Sequence, residues 1–171
     1  MVHLGFEVSD LYYMINKGNV GRDWNKDNDC IVRKAVTDIE IQTGVNCAIA
    51  YAAQRMTLEL ANKKVNQKKE LYRKGLLDLY ICYIDDTPVG FCDWFDKDGI
   101  IKLEEVTILN KFQGKGIGTQ MLKQLIYRAV IECEKKLYIV TETGKEHNIY
   151  LQLGFQMLGK ETEIFYMKDD N

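Results

Sequence analysis

Three glycines at alternate positions, Gly114, Gly116 and Gly118, stand between a strand-forming run and an amphipathic helical pattern. Glycine removes the side chain where a backbone bends sharply, so this spacing indicates a tight turn that leads from a strand into a helix. The first N–H groups of a helix have no partner within the helix, and they lie at the positive end of its dipole. The turn therefore predicts a binding site for a phosphate group.

The spacing of these glycines distinguishes between kinds of phosphate-binding loop. A P-loop needs G-x-x-x-x-G-K-[ST] and a dinucleotide loop needs G-x-G-x-x-G, whereas the glycines here run G-x-G-x-G. The string fits Q/R-x-x-G-x-G/A instead, and it resembles the pyrophosphate loop of the GNAT acyl-CoA N-acetyltransferases. The alternative is a surface loop with flexible glycines. The resemblance implies that acetyl-CoA binds at Gln113, Gly114, Lys115, Gly116, Ile117, Gly118 and Thr119.

A second match is the string from Tyr150 to Phe155, which has the Y-x-x-x-G-F pattern of many GNAT members. In that family the tyrosine commonly protonates the CoA thiolate as it leaves. The cost is modest, because a phenol pKa near 10 exceeds a thiol pKa of about 8.5 by little. The alternative is a core tyrosine that is packed by its ring.

A third match is Leu103-Glu-Glu-Val-Thr-Ile108, which is similar to a strand motif of the diamine acetyltransferases. There the glutamate acts as a base or binds the amine, which must lose a proton before it attacks a thioester. Neighbouring strand residues point to opposite faces, so Glu104 and Glu105 cannot both be buried alike. Of the two, we expect Glu104 in this role. Glu105 is the other candidate, because a bulge would exchange their faces. Asp93 and Glu142 are weaker alternatives, and both glutamates could also simply face solvent.

The resemblance implies direct transfer of an acetyl group to a primary amine in a ternary complex, without a metal. The pantetheine arm would run along the strand that contains Val106 and Ile108, where a backbone N–H polarises the thioester carbonyl. Two positions depart from the family pattern. Thr143 stands where asparagine is frequent, which weakens the expected contacts of the last helix with CoA, and Asn110 stands where proline is frequent.

Apolar patterns predict the elements that position these residues. A strand at 31–36 leads into a helix that opens with a capping box of Thr37 and Glu40. Helical pattern continues as two helices to about Lys74, with Gly75 as the C-cap candidate. The buried stripe is expected at Ile39, Val45, Ala48, Ala52, Met56 and Leu60.

Further strands are expected at 79–84, 91–95, 100–109, 137–141 and 163–167, with helices at 117–134 and 147–153. The prediction is an α/β (α+β) GNAT-like domain whose central mixed, mostly antiparallel sheet is flanked by helices. We expect this domain to occupy residues 29–171, after an N-terminal extension of residues 1–28 with a strand candidate at 11–15 and a polar linker. Two strings in the extension, at 4–6 and 12–14, echo those at 153–155 and 165–167. The extension is therefore either a remnant of a related domain or a chance similarity.

Composition narrows the classes of function. The net charge of −2 over 171 residues disfavours a nucleic-acid binder. No apolar run reaches the ~20 residues of a membrane span. Five scattered cysteines, without C-x-x-C spacing, favour reduced thiols in the cytoplasm.

The acceptor remains open from the sequence: a polyamine or another small amine, an antibiotic, an amino acid, or a protein N-terminus or lysine. Two acidic residues on the acceptor side favour a cationic amine. The competing class is a non-catalytic acyl-CoA sensor on the same fold. A lysine-rich face on the second helix is either solvated or steers an anionic ligand, and a homodimer is an expectation by resemblance alone.

Overall fold

The computed structural model describes residues 6–18, 20–21, 24, 29–142 and 145–166. Within these ranges the chain forms seven strands and four α-helices, with a 3-10 turn at Asn110–Phe112 and a π-helical turn at Arg128–Glu132. The elements are β1 (Phe6–Asn16), β2 (Ile31–Lys34), α1 (Asp38–Ala52), α2 (Leu58–Arg73), β3 (Asp78–Ile84), β4 (Thr87–Lys97), β5 (Ile100–Ile108), α3 (Ile117–Tyr127), β6 (Lys136–Glu142), α4 (Lys145–Gln152) and β7 (Gln156–Tyr166).

The strands form one sheet in the order β2-β3-β4-β5-β6-β1-β7. Among the described strands, only the β5–β6 pair is parallel, and the other neighbours run antiparallel. Alternate residues of the strands supply two apolar clusters, one that includes α3 and one that includes α1 and α2. The predicted α/β domain with a mixed, mostly antiparallel sheet is confirmed.

The N-terminal strand β1 lies inside the sheet, between β6 and β7. Its residues pair with β6 from Leu11 to Asn16 and with β7 from Phe6 to Ile15. The strand expected at 11–15 is therefore confirmed, and it belongs to the same sheet as the region expected to start at residue 29. Of the echoing strings, residues 4, 5 and 167 lie outside the described residues.

Helices α1 and α2 confirm the two-helix prediction and its first cap. The side-chain oxygen of Thr37 accepts from the Glu40 N–H, and the Glu40 carboxylate accepts from the Thr37 N–H at 2.8 Å. The predicted stripe is wrong at Ile39 and Leu60, which are 80% and 52% exposed. Val45 and Ala48 are buried on α1 as predicted, and the inner faces also include Ile41 on α1 and Ala61, Val65 and Tyr72 on α2.

Helix α3 follows the glycine turn and buries the predicted stripe. All six expected positions are buried, at Ile117, Met121, Leu122, Leu125, Ile126 and Ala129. The helix predicted to run to residue 134 is regular only to Tyr127, because the next turn is π-helical. This packing holds the N-terminus of α3 against the end of β5.

Candidate active site

The glycine turn has the backbone geometry that its sequence predicts. Gly114 and Gly116 have φ of +75° and +78°, values that residues with a Cβ rarely adopt. Gly116 is the N-cap of α3, and no described side chain caps this helix. The amide of Gln113 donates from Nε2 to the Ile108 carbonyl at 2.7 Å and so ties the turn to the end of β5. Among the described residues, no side chain at the N-cap therefore satisfies the first N–H groups of α3.

A cavity of about 370 Å³ opens beside this turn, between β5, α3 and α4. Most of the residues predicted to bind acetyl-CoA line it, whereas Lys115 and Ile117 do not. The Ile117 side chain is buried in the core, and the Lys115 ammonium lies 5.9 Å from the centre of the Phe112 ring. The lining comprises Val106, Ile108, Gln113, Gly114, Gly116, Gly118, Thr119, Leu122, Ile149 and Tyr150.

Strands β5 and β6 pair over only three positions, from Ile100 to Lys102 on β5. Beyond that point a second cavity, of about 300 Å³, lies between residues 102–106 of β5 and Ile139 and Val140 of β6. Tyr150 lines this cavity as well as the first one. Its ring packs edge-to-face on Phe155, with centroids 5.5 Å apart. The tyrosine is therefore packed and also borders both cavities.

A β-bulge includes one of the two candidate glutamates, Glu105, and directly follows the other, Glu104. The pairing of β4 with β5 shifts register there, so that one β4 residue, Cys92, stands opposite both Glu105 and Val106. Glu105 has a φ of +49°, whereas Leu103 and Val106 both face the cluster that includes α3. Each carboxylate is partly exposed: the Glu104 side chain is 44% exposed and that of Glu105 is 40% exposed. The bulge that the sequence allowed is thus present.

The two glutamates differ in their partners. The Glu104 carboxylate lies 2.5 Å from the Lys102 ammonium of its own strand. The Glu105 carboxylate lies 3.1 Å from the ammonium of Lys68, which comes from α2. The Glu105 side chain is therefore held toward α2.

Lys68 also reaches a buried carboxylate, that of Asp93 on β4. The Lys68 nitrogen lies 2.5 Å from Oδ2 of Asp93, and the Tyr72 hydroxyl donates to Oδ1 at 2.6 Å. Burial raises the pKa of Asp93, and Lys68 and Tyr72 oppose that rise without reversing it. Burial works against the charge of Lys68, but Asp93 and Glu105 outweigh it and raise the pKa of this lysine.

Lys68 and Tyr72 were not singled out as site residues by the sequence. The signal was Asp93 in the apolar string 91–95, since a carboxylate inside a buried strand requires a partner. The sequence does not say which of the many lysines of α2 supplies it. Asp93 does not line any of the cavities described here, and Glu142 is exposed at the end of β6.

A third cavity, of about 220 Å³, lies between the two N-terminal helices and the strands β4 and β5. Glu105 lines it and also lines the cavity between β5 and β6. Glu104 lines only the latter. The third cavity is bounded by Ala48, Tyr51, Ala52, Arg55, Met56, Lys64, Val65, Phe91, Glu105 and Thr107.

The remaining expectations are quickly placed. Asn110 lies in the 3-10 turn, where its Oδ1 accepts from Gln113 at 3.2 Å. Thr143 lies outside the described residues. Within the described ranges, the His, Cys, Asp and Glu side chains form no group of three or more that could hold a metal. Over the same ranges, none of the helices is long and apolar enough to span a membrane.

Comparison with known proteins shows which proteins this chain resembles. Residues 76–157, from just before β3 into β7, match the domain described as acetyltransferase (GNAT) domain. The chain is 26% identical over 113 residues to the "Uncharacterized N-acetyltransferase CgeE" of Bacillus subtilis (strain 168), which covers 63% of this chain and 44% of that protein.

Two solved structures share the fold. One is a functionally unknown conserved protein from Staphylococcus epidermidis ATCC 12228, with a TM-score of 0.70 and 19% identity over 94% of this chain and 62% of that one. The other is a GCN5-related N-acetyltransferase from Sphaerobacter thermophilus, with a TM-score of 0.68 and 14% identity over 94% of this chain and 52% of that one.

The chain shares its fold with these solved structures, and residues 76–157 are similar to a GNAT acetyltransferase domain. The chain spans less than half of the B. subtilis relative and about three fifths of the S. epidermidis protein. The finer likeness of the β5 motif to the diamine acetyltransferases is not carried by these matches. The acceptor must therefore be argued from the cavities.

Proposed function

We propose that this chain transfers an acetyl group from acetyl-CoA to a small primary amine, by direct attack in a ternary complex. The observation that carries the proposal is the arrangement of three cavities around two side chains. Tyr150 borders the cavity beside the glycine turn (the glycine-turn cavity) and the cavity between β5 and β6 (the β5–β6 cavity). Glu105 borders the β5–β6 cavity and the cavity between the two N-terminal helices and the strands β4 and β5 (the helix-side cavity). Two substrates can therefore approach one point of β5 from opposite sides.

The glycine-turn cavity suits the CoA diphosphate. Adding a Cβ to Gly114 or Gly116 would meet no atom within 4 Å, so the backbone is bare on the open side. The uncapped N-terminus of α3 supplies N–H donors and the positive end of a dipole. When bound, acetyl-CoA supplies the acetyl thioester. Val106 and Ile108 line the same cavity, so β5 would carry the pantetheine arm.

Three side-chain and backbone roles complete the proposed reaction. Glu105, directly or through a water, accepts the proton that the amine loses before its nitrogen bonds to the acetyl carbon. A backbone N–H of β5 beyond the paired segment polarises the carbonyl oxygen. Tyr150 donates its proton to the sulfur as the carbon–sulfur bond breaks. Glu104 is the second candidate for the base, since it borders the β5–β6 cavity too.

The proposal is tested by measuring binding and turnover on the same protein. Titration calorimetry with acetyl-CoA should show saturable binding, and mass spectrometry should find an acetylated product from a panel of small amines. Mass detection is preferred to a thiol reagent because Cys133 is a free, exposed cysteine. Binding of acetyl-CoA without turnover of any amine would favour the sensor class. Absence of acetyl-CoA binding would contradict the proposal.

A further inference from the structure

Two cations of the helix-side cavity are distinctive because no carboxylate among the described residues balances them. Arg55 follows the end of α1 and Lys64 lies on α2, and both side chains line this cavity and are exposed. Within the described part of the chain, neither forms an ion pair with an acidic side chain. Neighbouring cations do: Lys68 pairs with Asp93 and Glu105, and Arg73 pairs with Asp38 and Glu70.

The position of Arg55 is fixed by an aromatic ring. Its guanidinium carbon lies 5.0 Å from the centre of the Tyr51 ring, which is within the range of a cation–π interaction. Tyr51 in turn packs edge-to-face on Phe91, with centroids 6.3 Å apart. The Arg55 guanidinium therefore packs on Tyr51, and the Tyr51 and Phe91 rings together line the cavity.

The charge balance of the cavity disfavours a polycation. Among the described residues, Glu105 is the one acidic residue that lines this cavity, and Lys68 already lies 3.1 Å from its carboxylate. Arg55 and Lys64 then leave an excess of positive charge on the lining. An acceptor with several ammonium groups would meet like charges, which costs binding energy. An anionic group on the acceptor would meet two free donors instead.

We infer that the acceptor is a small amine that also carries a carboxylate or phosphate group beside an apolar body. Its amine faces Glu105, its anionic group is bound by Arg55 and Lys64, and its apolar part packs on Tyr51 and Phe91. This inference rests on the proposed function for the identity of the amine as acceptor. It replaces the cationic amine that the two adjacent glutamates favoured in the sequence.

Matched pairs of amines test the anionic requirement. Each pair differs only in the anionic group: L-phenylalanine with phenethylamine, L-leucine with isoamylamine, and phosphoethanolamine with ethanolamine. Spermidine represents the polycations. We expect the anionic member of at least one pair to have a kcat/KM about tenfold above that of its partner, as one charge-assisted contact would give. The pair that shows this distinguishes a carboxylate from a phosphate.

Two variants connect the preference to its residues. Arg55→Gln and Lys64→Gln should each raise KM for the anionic amine with little change in kcat, and should leave acetyl-CoA binding intact. The control is Lys63→Gln, which removes an adjacent exposed lysine that does not line the cavity. Equal or better use of the members that lack the anionic group, or of spermidine, would overturn the inference and leave the proposed function standing.

A binding measurement decides the case in which no amine is turned over. Ligand-observed NMR with the same pairs, in the presence of CoA, reports contact without chemistry. A preference for the anionic member that Arg55→Gln abolishes would support the inference while the proposed function fails. Absence of that preference would overturn the inference.

Discussion

The ammonium nitrogen of Lys68 lies 2.5 Å from Oδ2 of Asp93, a carboxylate whose side chain is fully buried. The same nitrogen lies 3.1 Å from the Glu105 carboxylate at the bulge. Lys68 of α2 thus contacts both the buried Asp93 carboxylate and the candidate base, Glu105. A substitution of Lys68 should therefore affect both the packing of α2 on the sheet and the position of the Glu105 side chain.

Lys68→Met should be strongly destabilising, because it leaves the Asp93 carboxylate buried without its cation. Breaking a buried pair from one side costs about 3 kcal/mol or more. Urea unfolding followed by circular dichroism measures the loss. Lys63→Met removes an exposed lysine of the same helix and should change stability little. The double variant Lys68→Met/Asp93→Asn should recover most of the loss, and failure to do so would mean that the lysine stem matters more than its charge.

The deficit of Lys68→Met should grow as the pH rises. The pKa of Asp93 is raised in the folded protein, so the folded state holds the proton more tightly than the unfolded chain. Stability from such a group is complete below the unfolded pKa of about 4 and is lost as the pH rises through the folded pKa. Removing Lys68 raises the folded pKa further, so the wild type and the variant should differ less at pH 4 than at pH 7. A constant difference would exclude Asp93 as its source.

Glu105→Gln should lower kcat/KM by about a hundredfold, the lower end of the range for general base catalysis. Glu104→Gln is the matched variant, since Glu104 borders only one of the described cavities and pairs with a partly exposed lysine, Lys102. It should lower kcat/KM by no more than a few fold. Initial rates over a range of amine concentrations provide the comparison. The opposite order of the two variants would assign the base to Glu104.

Tyr150→Phe should lower kcat by about a hundredfold or more while acetyl-CoA affinity stays nearly the same. The ring contact with Phe155 survives the change, so the loss reports the hydroxyl alone. Calorimetry gives the affinity and steady-state kinetics gives kcat. Unchanged turnover would remove Tyr150 from the acid role.

Two alanine variants of the glycine turn should separate the effect of backbone strain on stability from the effect of an added Cβ on ligand binding. Gly116→Ala should lower the free energy of unfolding by about 1 kcal/mol, because its φ is +78°. A Cβ on Gly118 would lie 3.6 Å from Ile108, an ordinary contact, so Gly118→Ala should be nearly neutral for stability. Because Gly118 lines the glycine-turn cavity, that variant should still weaken acetyl-CoA binding. Full affinity in Gly118→Ala would place the ligand away from this turn.

Met14→Ala should cost about 3 kcal/mol, because its side chain is fully buried in β1. Val8→Ala on the same strand is the control, since Val8 is 66% exposed.

Deletion of residues 1–28 should abolish cooperative unfolding, because β7 pairs with β1 among the described strands. A soluble, cooperatively folding chain without those residues would show that β1 is dispensable.

Local sequence patterns predicted much of the fold. The capping box at Thr37, the buried stripe of α3 and the glycine turn each depend on residues that are near in sequence, so spacing alone predicts them. The predicted stripe was wrong at Ile39 and Leu60, because helical periodicity defines a face but not what covers it.

The sequence by itself determined the strand–glycine turn–helix unit and the family that it resembles, because backbone conformation at glycine and helix ends is set locally. Only the tertiary structure decided that Lys68 is the partner of Asp93, that Glu105 rather than Glu104 borders two cavities, and that β1 enters the sheet between β6 and β7. Those outcomes depend on strand register and helix packing between residues far apart in the chain, which no local pattern encodes.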